Sequence, residues 1–331
     1  MIISRTPFRI SFFGGGTDYP SWYRENGGAV LATTINKYCY LTCRYLPPFF
    51  AYRSRILYSK VECVNQPEEI QHPGVRGVLS YLEVKEGLEV HHDGDLPART
   101  GIGSSSTFTV GLLHAVYALR GVMPSKMRLA RDAFVVEHEV LKETVGVQDQ
   151  TLAAFGGFNR IDFGRDDQIR VAPVTLPPER LAQLEAHLLL VFTGFTRTAS
   201  EIAADQMQRA ERNRIELAAI QASVDEASAV LGNGADLAEF GRLLHDGWQL
   251  KKCLSPRITT QAIDECYAAA RDAGALGGKI LGAGGGGFML LFAPPERHPA
   301  ILDRLGLMRV PFRFERTGSQ IIFYDPDSLH A

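Results

Sequence analysis

The chain has 331 residues, 45% hydrophobic and 22% charged, with a formal net charge of −2. That is enough apolar material for two domains with sizeable cores, and the charge gives no bulk attraction to nucleic acid or to an anionic membrane. Five cysteines, at 39, 43, 63, 253 and 266, form no C-x-x-C pair and are odd in number, which excludes a complete disulfide framework and points to reduced thiols in a cytoplasm.

In chain order, residues 2–13 read as a strand ending at Gly14-Gly15-Gly16. No basic region followed by a long apolar run precedes it, so no signal peptide is expected. Residues 28–46 contain two β-rich segments around Asn36-Lys37, and 55–64 read as another strand. Residues 75–84 suit a helix, and 88–92 a short strand. A loop from Asp93 to Gly103 leads into a helix starting near Ser104. Phe108, Val110, Leu112, Leu113, Val116 and Leu119 put apolar groups on most of its faces, so it should be central and buried. The stretch 108–119 is the longest apolar run, interrupted by Thr109 and His114, and is too short to span a bilayer. Ser125 can cap the next helix, where Met127, Ala130, Phe134, His138 and Leu141 recur at helical spacing.

A second half is expected from about 176, marked by Pro177-Pro178, which gives domains 1–175 and 176–331. Residues 188–192 read as a buried strand. Helices are expected at 199–231, 236–252 and 259–273, then two strands joined by a glycine loop at 281–288. A helix at 295–304 and strands near 309–314 and 320–324 close the chain. The class is α+β, and the order in the second half suits a small ferredoxin-like domain.

The segment Leu96-Pro97-Ala98-Arg99-Thr100-Gly101-Ile102-Gly103-Ser104-Ser105-Ser106 carries the most chemistry. Its glycines allow tight turning and close approach of a ligand. The serines stand at a helix start, where free N–H groups and the helix dipole attract anions. A glycine turn with serine caps would explain the same residues without a ligand. The Gly-Lys-Ser/Thr ending of a Walker A loop is absent, and Ser106 stands where a dinucleotide fingerprint needs its third glycine.

Three motifs then occur in one order: Pro7 to Tyr19, with Gly14-Gly15-Gly16-Thr17-Asp18; Pro97 to Ser106; and Lys279 to Gly287, with Gly282-Ala283-Gly284-Gly285-Gly286-Gly287. Together they resemble the GHMP kinase superfamily over nearly the whole chain. Within it, the full-length pattern is most similar to bacterial kinases of D-glycero-D-manno-heptose 7-phosphate. The supporting stretches are Gly146-Val147-Gln148-Asp149-Gln150, Phe192 to Arg197 and Leu250 to Ser255. Galactokinases usually carry Glu-His where this chain has Gly15-Gly16, which counts against galactose.

The resemblance implies an N-terminal domain like domain 2 of ribosomal protein S5 and a ferredoxin-like C-terminal domain, with ATP, Mg²⁺ and a sugar or sugar phosphate meeting between them. It implies Asp149 as catalytic base or orienter, paired with Arg9. Gly101, Gly103, Ser104, Ser105 and Ser106 are the expected phosphate cradle, and Ser105 and Glu137 the expected Mg²⁺ ligands. Glu139, two residues on, points about 160° away on an α-helix, so one of the two glutamates is expected to face the site. Thr17, Asp18, Gly15 and Gly16 are expected at the sugar, and Gly284 and Gly285 in the acceptor pocket or simply between two strands. A phosphorylated acceptor needs cations, for which Arg197 and Lys252 are the expected residues, beside Lys251 and Arg99 as unranked candidates. The implied activity is phosphorylation of the anomeric hydroxyl on the route to GDP-heptose. Kinases of L-fucose, mannose or galactose, and a silent ATP and sugar sensor, are the alternatives. A homodimer is compatible with this reading.

Overall fold

The computed structural model describes residues 1–194 and 199–326, with the side chains of 199 and 200 left aside. In chain order its elements are β1 (Ile2–Phe13), α1 (Pro20–Asn26), β2 (Gly28–Tyr45), β3 (Ser54–Leu57), β4 (Val61–Val64), α2 (Pro73–Tyr81), β5 (Leu88–Gly94) and α3 (Ser104–Leu119). There follow α4 (Lys126–Val135), α5 (Gln148–Phe155), β6 (Phe158–Phe163), β7 (Ile169–Pro173), α6 (Pro178–His187), β8 (Leu188–Phe192), α7 (Ala199–Gln208) and α8 (Arg214–Gly232). The last are α9 (Leu237–Cys253), α10 (Gln261–Asp272), β9 (Gly277–Ile280), β10 (Phe288–Phe292), α11 (His298–Leu305), β11 (Met308–Arg309), β12 (Phe314–Glu315) and β13 (Gln320–Tyr324).

Two sheets organise the molecule. The first runs β13-β1-β2-β5-β3-β4, with β6 and β12 also on β2, and the second runs β11-β8-β10-β9. The region 28–46 forms one long strand, because β1 pairs along it and absorbs the twist in register shifts at Pro7/Arg9 and Ser11/Phe13. The strand expected at 55–64 is a hairpin of β3 and β4. α3 lies behind the first sheet, buried at almost every position from Ser106 on, as its apolar faces require. Ser125 caps α4 by accepting from the Arg128 N–H. The helical pattern through Leu141 does not stay α-helical: a π turn covers Val136–Val140. Such turns insert one residue and re-aim the side chains around them.

Two of the closing strands differ in place from their expected position. β12 and β13 leave the second sheet and return to the first, β13 pairing with β1 and β12 with β2. The edge of β1 would otherwise present unpaired main-chain groups. Apolar packing is continuous between the halves: Phe12 and Phe13 of β1 meet Phe240 of α9 edge-on, with centroids 5.6 and 5.1 Å apart.

Candidate functional site

The first and third motifs and the serine loop converge on one cleft. Its wall includes Arg9, Gly15, Gly16, Asp18, Gly101, Gly103, the three serines 104–106, Asp149, Lys251, Lys279 and Gly282. The convergence follows from backbone contacts that only glycine permits. Gly101 has φ +86°, and a β-carbon there would lie 2.2 Å from the Leu281 carbonyl; one on Gly282 would lie 2.5 Å from the Gly101 α-carbon. The Phe288 N–H donates to the Thr100 carbonyl across the same junction. Gly103, at φ +74°, is the N-cap of α3, and a side chain there would crowd Arg9 and Asp149. The free N–H groups of α3 therefore open into the cleft beside the two residues that the resemblance marks as catalytic.

Arg9 and Asp149 form a bidentate pair. Nε and Nη2 of Arg9 donate to Oδ1 and Oδ2 of Asp149, both at 2.7 Å, and Nη1 donates to the Gly101 carbonyl at 2.6 Å. Arg9 is buried and Asp149 keeps 24% of its side chain exposed, so the open side of the carboxylate belongs to the cleft. This fork fixes the carboxylate in a plane. Asp149 lies in the first turn of α5 rather than at its cap.

Asp18 is fully buried against the same cleft. It accepts from the N–H groups of Gly16 and Gln148 at 3.0 and 3.3 Å. Burial, with the charge of Asp149 second, raises its carboxyl above the usual range. Residue 146 must be glycine, because a β-carbon there would sit 1.9 Å from Asp18 Oδ2. Gly146→Ala is expected to cost about 2 kcal/mol of stability, typical of overpacking, and to raise the acceptor KM at least tenfold. Thermal melts and acceptor titrations read both, and an unchanged KM would remove Asp18 from the acceptor side.

The structure distributes the other expected site residues unevenly. Thr17 is buried away from the cleft wall: its hydroxyl donates to the Gly14 and Ala29 carbonyls and accepts from the Ala29 N–H, holding the turn rather than facing a ligand. Gly284 and Gly285 pack on the Ile258 turn, where Gly285 N–H donates to the Ile258 carbonyl at 2.7 Å, and Gly282 and Ala283 take the cleft positions. Lys252 pairs with Asp264 at 3.3 Å, outside the cleft wall. Arg197 lies outside the described residues.

Glu137 is fully buried in the π turn. Its Oε2 accepts from the Ser106 hydroxyl at 2.9 Å and from Gln150 Nε2 at 2.5 Å, so Ser106 rather than Ser105 is its serine neighbour. Ser105 faces the cleft, exposed. Burial pushes Glu137 up to about 7. Its Oε1 and the Oε1 of Gln150 are buried without a hydrogen-bond donor among the described residues. A buried carboxylate oxygen without a donor calls for a proton or a cation. All the donors here are hard oxygens, which suits Mg²⁺.

Lys251, one of the unranked cation candidates, and Lys279, to which the sequence assigns no role, also line the cleft. Lys251 donates to the Gly282 carbonyl, and Lys279 to the Phe12 carbonyl at 2.9 Å. A signal existed for Lys251. Phe240, Leu244 and Trp248 mark the buried stripe of α9, and Lys251 continues that stripe while Lys252 leaves it.

The GHMP kinase N-terminal domain model matches residues 74–157, and the GHMP kinase C-terminal model matches residues 224–306. The chain belongs to the GHMP kinase family. This GHMP kinase is 28% identical over 320 residues to D-glycero-alpha-D-manno-heptose 7-phosphate kinase of Campylobacter jejuni, covering 92% of its own length and 93% of the relative's. It is 31% identical over 224 residues to mevalonate kinase of Pyrococcus horikoshii, 65% of its own length and 62% of the relative's. Among solved structures it is similar to a D-glycero-D-manno-heptose 1-phosphate kinase from Bacteroides thetaiotaomicron, with TM-score 0.77, 27% identity, and 96% and 98% of the two chains covered. It shares the fold of Lactococcus lactis galactokinase, at TM-score 0.75 and 18% identity over 96% of this chain and 94% of that one. No described helix is long and apolar enough to cross a membrane.

Proposed function

We propose that this GHMP kinase transfers the γ-phosphoryl group of ATP to the anomeric hydroxyl of D-glycero-D-manno-heptose 7-phosphate, giving the 1,7-bisphosphate. The observation that carries the reading is the Asp149 carboxylate, clamped by Arg9 and open to the cleft beside the N-terminus of α3. The similarity to the Campylobacter jejuni enzyme over most of both chains supports the acceptor.

In this reading the backbone N–H groups after Gly101 and Gly103 and the hydroxyls of Ser104, Ser105 and Ser106 receive the donor phosphates. Asp18 accepts from sugar hydroxyls. Asp149 accepts the proton of the attacking hydroxyl, or orients it, as the phosphoryl group moves. Arg9 orients that carboxylate and adds positive charge beside the transferring group. Glu137 with the serine hydroxyls of 105 and 106 would hold Mg²⁺, which neutralises charge on the donor phosphates when bound. A homodimer and a place in the cytoplasm belong to the same proposal.

A coupled assay of ADP release with ATP and Mg²⁺, run against heptose 7-phosphate, L-fucose, mannose and galactose, tests it. The expected result is turnover strongest with heptose 7-phosphate and a product whose anomeric proton couples to phosphorus. Turnover only with an unphosphorylated hexose would replace the acceptor, and nucleotide binding without turnover would leave a sensor.

A further inference from the structure

Lys251 and Lys279 are each 7% exposed and both line the cleft. Among the described residues each hydrogen bonds to a single main-chain carbonyl, and neither forms an ion pair. An ammonium has three donors, and burying its charge without an anion is unfavourable. A lysine that merely solvates a helix face would place its head in water, as Lys252 does beside Asp264. Lys251 instead continues the apolar stripe of α9 inward. Burial pushes it down to about 8, and the charge of Arg9 adds to that effect while Asp18 and Asp149 oppose it. Lys279 is lowered well below the usual lysine range by burial and by the charges of Lys251 and Arg9.

Two anions could meet these groups: the phosphates of the donor or a phosphate on the acceptor. The donor side already has the N-terminus of α3 and its serines. Lys251 belongs to the other side. Leu254, one turn further on, lies 3.9 Å from where a β-carbon on Gly16 would be, so this end of α9 rests on the turn that carries Gly15, Gly16 and Asp18.

We infer that Lys251, backed by the Lys279 amine, binds a phosphate ester carried by the acceptor itself and so selects a sugar phosphate over the free sugar. The inference rests on the kinase reading above. An incoming dianion would supply the counter-charge that the protein leaves out at this point.

The test compares wild type with Lys251→Met, which keeps the length and the apolar stem. With heptose 7-phosphate, kcat/KM is expected to fall about 100-fold, mostly through KM, as for loss of a charge-assisted contact. With dephosphorylated heptose it should change less than about threefold, and the KM for ATP should hold. In wild type, reductive methylation of Lys251 followed by mass spectrometry should be blocked by heptose 7-phosphate and not by dephosphorylated heptose. An equal fall in kcat with both acceptors, or protection by ATP alone, would move Lys251 to the transferring phosphoryl group and overturn the inference. Unchanged kinetics with heptose 7-phosphate would overturn it as well. Wild type that turns over no sugar phosphate, tested first, would instead remove the proposed acceptor.

Discussion

Asp149→Asn is expected to lower kcat about 10³-fold, within the range for loss of a positioned proton acceptor, while the KM for ATP changes little. The asparagine keeps the shape of the carboxylate but has one oxygen instead of two to face the Arg9 fork, and it turns an N–H group toward a guanidinium N–H. Arg9 is then a buried cation without its counter-ion. Removing one partner of a buried pair costs about 3 kcal/mol, so the variant should also melt earlier. Single-turnover ADP formation separates the two effects, because a loss of folded enzyme lowers amplitude and a loss of chemistry lowers rate. A rate within threefold of wild type would exclude Asp149 from the proton-accepting role and leave Arg9 to explain the pair.

Glu137→Gln is expected to stabilise the metal-free protein at pH 8, while abolishing Mg²⁺-supported turnover. Burial holds the folded-state carboxyl near 7, against an ordinary value of 4.5. Between those values the unfolded chain ionises Glu137 and the folded chain does not, so the folded state binds the extra proton. Stability therefore falls as pH rises from about 4.5 to about 7 and levels off above. The full span corresponds to roughly 3 kcal/mol, from 1.36 kcal/mol for each pH unit. Glutamine keeps an oxygen that can accept from Ser106 and from Gln150 Nε2, without an ionisation to resist. Chemical unfolding in chelator at pH 4.5 and pH 8 should show the variant equal to wild type at the first and more stable at the second. Equal stability at both would mean that Glu137 is already ionised and satisfied in the fold. Added Mg²⁺ should raise the melting temperature of wild type at pH 8 and leave that of the variant unmoved.

Much of this was legible in the sequence because the governing physics is local. α3 follows from apolar residues on most faces after a glycine-serine turn, and the Ser125 cap from a hydroxyl before a helical repeat. The sites of Arg9 and Asp149 came from motif order. Their pairing was implied by the resemblance, but its bidentate geometry was not legible, since 140 positions separate them and only the fold brings them together. The local pattern could not tell that the Thr17 hydroxyl is used by the backbone of its own turn, because a facing hydroxyl and a capping one read alike in a sequence. The lysine pair at 251 and 252 was decidable in principle: adjacent residues differ by 100° on a helix, and the buried stripe of α9 picks the first. The return of β13 to β1 had no local signal, because strand partners are chosen by what edges remain open after the rest has folded.

The junction of Gly101 with Gly282 has a consequence for how these two halves can be recombined. Each backbone occupies the space a side chain of the other would need, and the Thr100 carbonyl is bonded to Phe288. The loops are thus one mould cast in two pieces. A chimera that takes residues 97–103 from one relative and 281–288 from another would join surfaces shaped by different partners, and the misfit would fall within the cleft itself. Graft boundaries in this family should keep those two loops together, and acceptor specificity should be moved by exchanging the rim around Asp18 and Lys251 instead.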